Sequence, residues 1–253
     1  MLKYKIGKFG FLNNFLPYYF LEKNYEVVEA TPRVMAGMLL DGYITYAPVP
    51  LFFFLKESER LKSYSFCVAS KERALSVVVV SKKRDFDDGC IAVTNQSITS
   101  MNLLKVILSE KGLSNTPVVK ESGSAWELLR DCDHALVIGD EAIKARMVFR
   151  VHMDLGEEWY DLTGLPMVFG ISASLKEFDA EKIDADVMRS TMKGFKHFDD
   201  VLKKATKIFN MPEEFLREYF NALSFEVGMR ERKGIETFEE YCMSYGLLKK
   251  DGR

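Results

Sequence analysis

The sequence is poor in the residues that build metal centres and disulfide frameworks. It has 4 cysteines and 3 histidines among 253 residues, and none of them form a CxxC pair or a Cys/His cluster with zinc-ligand spacing. We therefore expect no metal site, and we interpret the cysteines as reduced thiols of the core. A chain of this length buries an apolar core large enough to fold without disulfides.

An excess of charge of one sign is also missing. The chain has 35 lysines and arginines against 37 aspartates and glutamates, which gives a net charge of −2 at pH 7. This balance provides no basic surface of the kind that binds nucleic acid. We therefore expect a small molecule, not a nucleic acid, as the binding partner, and the sequence carries no signal for an oligomeric state.

Long apolar runs are missing as well. The longest, residues 46–55, has about half the length of a bilayer-spanning helix and contains Pro48 and Pro50. Lysines near the N-terminus precede a short apolar stretch, but Asn13 and Asn14 interrupt it and no small-residue cleavage site follows. These features predict a cytoplasmic protein without a membrane partner.

What the sequence does contain is an alternation of short apolar runs and helical segments. The β-branched run 74–81 is typical of a strand buried on both faces, and residues 90–93 and 135–138 are similar. Alternation of this kind predicts βαβ units and an α/β protein with a parallel sheet. The C-terminal part is predicted to be helical, with one stripe over 195–209, a helix after Pro212 and a helix over 235–245.

The composition shifts where the chain is expected to pass between two lobes. We place these crossings at the polar segment 82–89 and at the apolar strand 167–173. The predicted first lobe therefore comprises residues 1–82 with 174–253, including the C-terminal helices. Residues 83–173 form the predicted second lobe.

Hydroxyl groups are concentrated where the strand 90–93 runs into the next helix. The segment contains Thr94, Ser97, Thr99 and Ser100. The first turn of a helix has unpaired N–H groups and a partial positive charge, so such a start can bind a carboxylate or phosphate. Ser97 or Thr99 can equally be a simple N-cap, and both interpretations stay open.

Two further strand ends carry polar side chains. Asn13 and Asn14 follow the predicted first strand, residues 4–9, and Asp140 follows the strand 135–138. Open α/β sheets bind ligands at the carboxyl ends of their strands, which makes these side chains candidates for ligand contacts. Asparagine and aspartate are also common in turns and caps, so that alternative remains for all three.

Several of these stretches together resemble one family, chorismate dehydratase of the futalosine route to menaquinone. The most specific is Gly156-Glu157-Glu158-Trp159 followed by Thr163-Gly164-Leu165-Pro166. The segments that carry the resemblance cover most of the chain in order and are 14–17, 39–49, 75–82, 97–100, 138–142, 154–169 and 219–248.

The resemblance implies a type 2 periplasmic-binding-protein fold, with two α/β lobes joined by two crossing strands and the ligand in the cleft. It also implies removal of water from chorismate to give 3-[(1-carboxyvinyl)oxy]benzoate, without a cofactor. The enzyme class would be a carbon–oxygen lyase acting on a small-molecule carboxylate. The alternative from another class is a non-catalytic protein that binds a small aromatic carboxylate on the same fold.

The resemblance further implies a functional asparagine in the first strand-to-helix turn. Counting forward from Gly7 selects Asn13, whereas counting back from Leu16 and Pro17 selects Asn14, which we prefer slightly. Its implied role is a hydrogen bond to the departing hydroxyl or to the ring substituents. The residues expected to contact the substrate are Ser76, Ser97, Thr99, Ser100 and Asp140.

The chain departs from the family pattern at two places. Pro50 and Leu51 stand where the family commonly has two serines, and residues 70–73 replace the usual Ser-Asp-Gly. Arg73, within the second departure, is a candidate for supplying the lost polarity, because its guanidinium can bind a carboxylate through two hydrogen bonds. An exposed surface arginine is the alternative.

Overall fold

The computed structural model describes residues 4–21, 24–96, 98–121 and 123–249 and shows a mixed α/β protein. The strands are Tyr4–Phe9 (β1), Tyr25–Ala30 (β2), Ala47–Pro50 (β3), Leu61–Ser70 (β4), Val77–Ser81 (β5), Cys90–Thr94 (β6), Thr116–Lys120 (β7), His134–Ile138 (β8), Arg150–Asp154 (β9), Met167–Leu175 (β10) and Leu223–Glu226 (β11).

The helices follow the strands closely in the first two thirds of the chain and dominate the remainder. They are Phe15–Tyr18 (α1), Pro32–Leu40 (α2), Leu51–Lys56 (α3), Ile98–Glu110 (α4), Ala125–Asp131 (α5), Gly139–Ala145 (α6), Leu155–Thr163 (α7), Glu181–Lys196 (α8), Phe198–Phe209 (α9), Glu213–Ala222 (α10) and Met229–Ser244 (α11).

The chain divides into two compact units whose boundaries differ from the predicted ones. Unit 1 comprises Met1–Ala69 with Val168–Met229, and unit 2 comprises Ser70–Met167 with Arg230–Arg253. The chain therefore first passes from unit 1 to unit 2 directly after Ala69, and not at the predicted segment 82–89. Strand β5 belongs to unit 2 because it pairs with β8 and β9, and α11 belongs there because Phe238 packs edge-on against Trp159 of α7.

Unit 1 contains two sheets. In the smaller one β1 and β2 are parallel, with Ile6 opposite Val27. The larger one has the order β11-β4-β10-β3, in which β10 and β3 are antiparallel. The pair β1 and β2 therefore has the parallel arrangement expected from the sequence, whereas the antiparallel pair β10 and β3 does not.

A buried carboxylate ties helix α8 to the larger sheet of unit 1. Asp184 accepts hydrogen bonds from the Tyr46 hydroxyl at 2.7 Å, the Ser172 hydroxyl at 2.9 Å and the Ser65 backbone N–H at 2.9 Å. Burial, with Tyr18 and Asp184 nearby, raises the pKa of the Tyr46 hydroxyl well above its ordinary value, so the hydroxyl remains a donor. Multiple donors are what a buried carboxylate requires.

Unit 2 contains one mixed sheet with the strand order β7-β6-β8-β5-β9. Strand β6 runs parallel to β7 and β8, as expected from the βαβ pattern. Strand β5 is antiparallel to both β8 and β9. The sequence could not predict this direction, because a continuous apolar run such as 74–81 is compatible with either strand direction.

The four cysteines are not all reduced thiols. Cys90 and Cys132 form a disulfide with a Cα–Cα distance of 5.5 Å, whereas Cys67 and Cys242 are buried thiols outside any disulfide. The prediction was wrong because the partners are 42 residues apart in sequence. The fold brings them together, since β6 begins at Cys90 and pairs with β8, which starts two residues after Cys132.

The predicted helical stripe over 195–209 spans two helices. Helix α8 ends at Lys196 and α9 begins at Phe198, with His197 between them outside the helical conformation (φ −112°, ψ 38°). The apolar spacing continues across the break, and α9 buries Val201, Leu202 and Ala205, whereas Phe195 of α8 and Ile208 of α9 are exposed. Periodicity alone therefore gave the correct structure type but the wrong number of helices.

Candidate functional site

One edge of the sheet in unit 2 collects most of the predicted ligand-binding segments. The carboxyl ends of β6, β7 and β8 share this edge because the three strands are parallel. Strand β5 runs the opposite way and Val77 lies opposite Ile138, so Ser76, just before β5, is at the same edge. Val78 pairs with Asp154 at the end of β9, which adds the start of α7.

The start of α4 is at this edge. Thr99 and Ser100 are the second and third residues of the helix and both are buried, whereas Ser97 lies outside the described residues. Thr99 is therefore not an N-cap. A helix of 13 residues carries a partial positive charge at its start, which lies at this sheet edge and favours binding of an anion there.

Ser76 and Asp140 are joined through the backbone at the same edge. The N–H of Gly139 donates to the carbonyl of Ser76 at 2.8 Å, and Asp140 is the second residue of α6. The Ser76 side chain is buried, while Asp140 is half-buried. The neighbouring Glu141 accepts from the N–H of Ala125 at 2.9 Å and so holds the first residue of α5.

Asp154 is a residue of this edge that the sequence analysis missed. It is the N-cap of α7, and its side chain accepts from the backbone N–H groups of Gly156 and Glu157. The signal was present in the sequence, because an aspartate followed by two glutamates in the first turn is typical of a helix start. The specific stretch 156–166 thus forms helix α7 and its C-terminal turn.

Arg73 forms a surface ion pair. Its Nε lies 3.9 Å from Oε2 of Glu157, and the two side chains are 46% and 52% exposed. Pairs of this kind contribute little to stability. The structure therefore favours the surface alternative for Arg73 over a role in binding a carboxylate.

The turn after β1 in unit 1 contains the two candidate asparagines. Leu12–Asn14 form a single turn of 3-10 helix that leads into α1. Asn14 is fully buried, and its Oδ1 accepts from the N–H of Phe9 at 3.3 Å. Its Nδ2 donates to Oδ1 of Asn13 at 2.7 Å, and Asn13 is half-buried.

The two asparagines differ in which amide atoms are already hydrogen-bonded within the protein. Both ends of the Asn14 amide are used inside the protein, so its side chain holds the turn. The Asn13 oxygen is occupied by Asn14, which leaves the Asn13 amide nitrogen as the donor for an outside group. The geometry favours Asn13 as the ligand-contacting residue, in place of the slight preference for Asn14.

The two positions that depart from the family pattern are buried and apolar. Pro50 ends β3, where it lies opposite Gly170, and Leu51 is the first residue of α3. Leu51 is fully buried. The serines common in the family are therefore replaced by packing residues at this point of unit 1.

Residues 4–21, 24–96, 98–121 and 123–249 contain neither a metal-ligand cluster nor a membrane-spanning helix. In these ranges no three His, Cys, Asp or Glu side chains are grouped so that they could hold a metal ion. No helix in the same ranges combines the length and the apolar composition required to cross a bilayer.

Comparisons with known proteins identify relatives over nearly the whole chain. A family model described as menaquinone biosynthesis matches residues 4–244. Chorismate dehydratase from Thermus thermophilus is 26% identical over 260 residues, which cover 95% of this chain and 95% of that protein.

Solved structures show the same fold at low sequence identity. A protein from Archaeoglobus fulgidus superposes with a TM-score of 0.79 at 16% identity, over 97% of this chain and 98% of that one. The periplasmic aliphatic sulphonate binding protein from Escherichia coli gives a TM-score of 0.69 at 15% identity, over 98% and 89% of the two chains. The predicted periplasmic-binding-protein-like fold class is confirmed.

Proposed function

Because the chain belongs to the menaquinone biosynthesis family, we propose that it is a chorismate dehydratase, a hydro-lyase that converts chorismate to 3-[(1-carboxyvinyl)oxy]benzoate and water. The observation that carries this proposal is the chorismate dehydratase relative, which matches along nearly the full length of both chains. The fold alone would not distinguish an enzyme from a binding protein, because the same architecture serves both.

The reaction balances without an oxidant or a cofactor. The C–O bond of the ring hydroxyl breaks, and the neighbouring ring C–H bond supplies its electron pair to a new double bond. The hydroxyl and the proton leave as water, and the ring becomes aromatic. The protein has to orient the substrate, stabilise the developing charge and provide a route for the proton.

We assign the leaving-group contact to Asn13. Its amide nitrogen donates a hydrogen bond to the departing hydroxyl or to the ring substituents, while Asn14 fixes the orientation of the amide. An amide is not a base at neutral pH. The proton acceptor is therefore another group, and a carboxylate of the substrate itself is the candidate.

We assign carboxylate binding to the sheet edge of unit 2. Ser76, Thr99 and Ser100 supply hydroxyls there, with Ser97 as a further candidate, and the start of α4 supplies backbone N–H groups. Asp140 accepts hydrogen bonds when ionised, so it suits a hydroxyl of the substrate and not a carboxylate.

The proposed partner is thus a small-molecule carboxylate, with no nucleic acid and no membrane, and the proposed compartment is the cytoplasm. The Cys90–Cys132 disulfide is unusual for a protein of this compartment. Stable disulfides inside cells are characteristic of hyperthermophiles, whereas most cytosolic proteins keep their thiols reduced.

The test is incubation of the purified protein with chorismate in the absence of any added cofactor. We expect an aromatic product lighter than chorismate by one water, formed at a rate proportional to protein concentration and detected by absorbance and mass spectrometry. Unchanged chorismate that nevertheless raises the thermal midpoint of the protein would identify a binding protein and contradict the proposal.

A further inference from the structure

We propose that Asp154 is a positioning residue for the substrate-binding edge of unit 2, where its carboxylate holds the turn that presents Ser76. The inference rests on the proposed function, because it concerns the side of unit 2 to which we assign the substrate carboxylate. Asp154 itself is buried and is assigned no contact with the substrate.

The carboxylate spans two segments with its two oxygens. Oδ1 accepts from the N–H of Ala74 at 2.8 Å and from the N–H of Gly156 at 3.0 Å. Oδ2 accepts from the N–H of Leu75 at 2.8 Å. An N-cap requires one acceptor oxygen, so the second oxygen serves the turn before β5 and not the helix.

The turn needs this support because Leu75 has an uncommon backbone conformation. Its φ is 59°, in the left-handed region that is unfavourable for a residue with a Cβ. Glycine would remove that cost, but the Leu75 side chain is 2% exposed and belongs to the core. The conformation is therefore imposed by the surrounding hydrogen bonds.

Two further groups, at the start of α6 and directly after its end, hold the same turn. Nη1 of Arg146 donates to the carbonyl of Leu75 at 3.0 Å, and the N–H of Gly139 donates to the carbonyl of Ser76 at 2.8 Å. The N–H and the carbonyl of Leu75 are thus both bound by side chains. Together these bonds fix the backbone of Ser76 next to Gly139, the residue before Asp140.

The first turn of α7 lies directly against this structure. A Cβ at Gly156 would be 2.5 Å from the backbone nitrogen of Ala74 and 2.7 Å from Oγ of Ser70. Glycine is required here for close approach of two backbones. Helix α7 and the turn before β5 are therefore packed together and share the Asp154 carboxylate, so a change at Asp154 alters the segment that leads into Ser76.

The variant Asp154→Asn separates the capping of α7 from the hydrogen bond to the N–H of Leu75. Asparagine is as good an N-cap as aspartate, so its oxygen in the place of Oδ1 keeps the cap of α7. Its amide group then replaces Oδ2 and faces the N–H of Leu75, donor against donor. We expect KM for chorismate to rise about tenfold with kcat changed less than about twofold, because the lost contact is made equally in ground and transition states.

A matched control perturbs the same helix at its other end. Gly164 is the C-cap of α7 with φ of 69°, and a Cβ there meets no atom within 4 Å. Gly164→Ala therefore strains α7 without touching the turn, and we expect a lower thermal midpoint with an unchanged KM. A KM rise in Gly164→Ala equal to that in Asp154→Asn would overturn the inference, and so would a wild-type KM in Asp154→Asn.

A second variant decides the matter if Asp154→Asn does not fold. Arg146→Met removes the donor to the Leu75 carbonyl from the opposite side, and we expect KM to rise in the same direction, whereas a wild-type KM would overturn the inference. The wild-type protein is assayed first. Absence of both turnover and calorimetric binding of chorismate would overturn the proposed function and the inference together, whereas normal turnover with unchanged KM in the variants would overturn the inference alone.

Discussion

The side-chain N–H of Asn14 donates to the side-chain oxygen of Asn13 across 2.7 Å, and this bond orients the one amide of the pair that is not fully buried. The relationship assigns separate roles to two adjacent residues of the same type. Asn14 holds the turn after β1 through Phe9, and Asn13 presents its amide nitrogen as a donor.

The two asparagines should therefore respond differently to truncation. Asn13→Ala should lower kcat strongly and also lower the thermal midpoint somewhat, because it removes the acceptor of the buried Asn14 amide. Asn14→Ala should lower the thermal midpoint by several degrees, because it leaves the buried N–H of Phe9 without its acceptor, at a cost of about 1–3 kcal/mol. Steady-state kinetics and thermal unfolding on the same preparations measure both effects. A stability loss in Asn13→Ala with full activity would contradict the assignment.

The start of α4 should be sensitive to loss of the Thr99 hydroxyl. Thr99→Val keeps the shape of the side chain, so we expect binding of chorismate to weaken about tenfold, as for loss of a hydrogen bond to a charged group. Thr191→Val is the matched control, since Thr191 is also a buried helical threonine, whose hydroxyl donates to the Val187 carbonyl at 2.9 Å. Equal affinities of the wild type and Thr99→Val, by titration calorimetry, would remove Thr99 from the site.

Alkylation of thiols should distinguish two classes of cysteine. In the unfolded protein without reductant, Cys67 and Cys242 should react and the Cys90–Cys132 pair should not, whereas after reduction all four should react. In the folded protein Cys242 should be inert near neutral pH, because burial raises the pKa of its thiol to about 12 and the thiolate is the reactive form. Mass spectrometry counts the labels, and four labels without reduction would contradict the disulfide.

The disulfide should also contribute to the stability of unit 2. It closes a loop of 42 residues, for which the chain-entropy account gives about 4 kcal/mol. Cys90→Ser should therefore lower the thermal midpoint by several degrees or more, and reductant should lower the midpoint of the wild type but not that of the variant. A wild type insensitive to reductant, with its thiols shown to be reduced, would contradict this contribution.

An ion-pair cluster at the other end of β8 should make stability depend on pH. Lys83 and His134 hold the pKa of the Asp87 carboxyl below its ordinary value. A carboxyl whose pKa is lowered by folding stabilises the protein above its ordinary pKa, and this contribution is lost as the pH falls through the lowered value. Asp87→Asn should thus reduce the thermal midpoint at about pH 7 more than at about pH 2, while the same change at the neighbouring exposed Asp88 should have little effect at either pH. Equal losses in both variants would contradict the pairing.

The sequence predicted those elements whose apolar pattern is decisive. The first strand was placed at the same residues as β1, and the runs at 90–93 and 135–138 are within one residue of β6 and β8. Strand β4 was not predicted, because its ten residues mix Lys62, Tyr64 and Ser65 with apolar positions and give neither a continuous run nor a clean alternation. Strand β9, β11 and helix α7 were likewise not recognised.

The candidate site was less predictable than the fold. Thr99 and Asp140 were named as candidates because polar residues at strand ends are visible in the sequence, and Ser76 because of the family resemblance. The hydrogen bonds that hold the turn before Ser76 could not be predicted. Asp154 is distant from Leu75 in sequence, and no local sequence pattern indicates that a leucine has a left-handed backbone conformation. The choice between Asn13 and Asn14 likewise depends on which amide is buried, a property of the folded chain.

The most direct test of the account compares chorismate turnover by the wild type and by Asn13→Asp under identical conditions. The substitution is isosteric and keeps an oxygen for the Asn14 donor, but an ionised carboxylate has no N–H to offer the departing hydroxyl. We predict cofactor-independent formation of the dehydrated aromatic product by the wild type and a loss of kcat of about a hundredfold in Asn13→Asp, with an unchanged thermal midpoint. No product from the folded wild type would contradict the proposed dehydratase, and equal rates for the two proteins would contradict the role of Asn13 as donor.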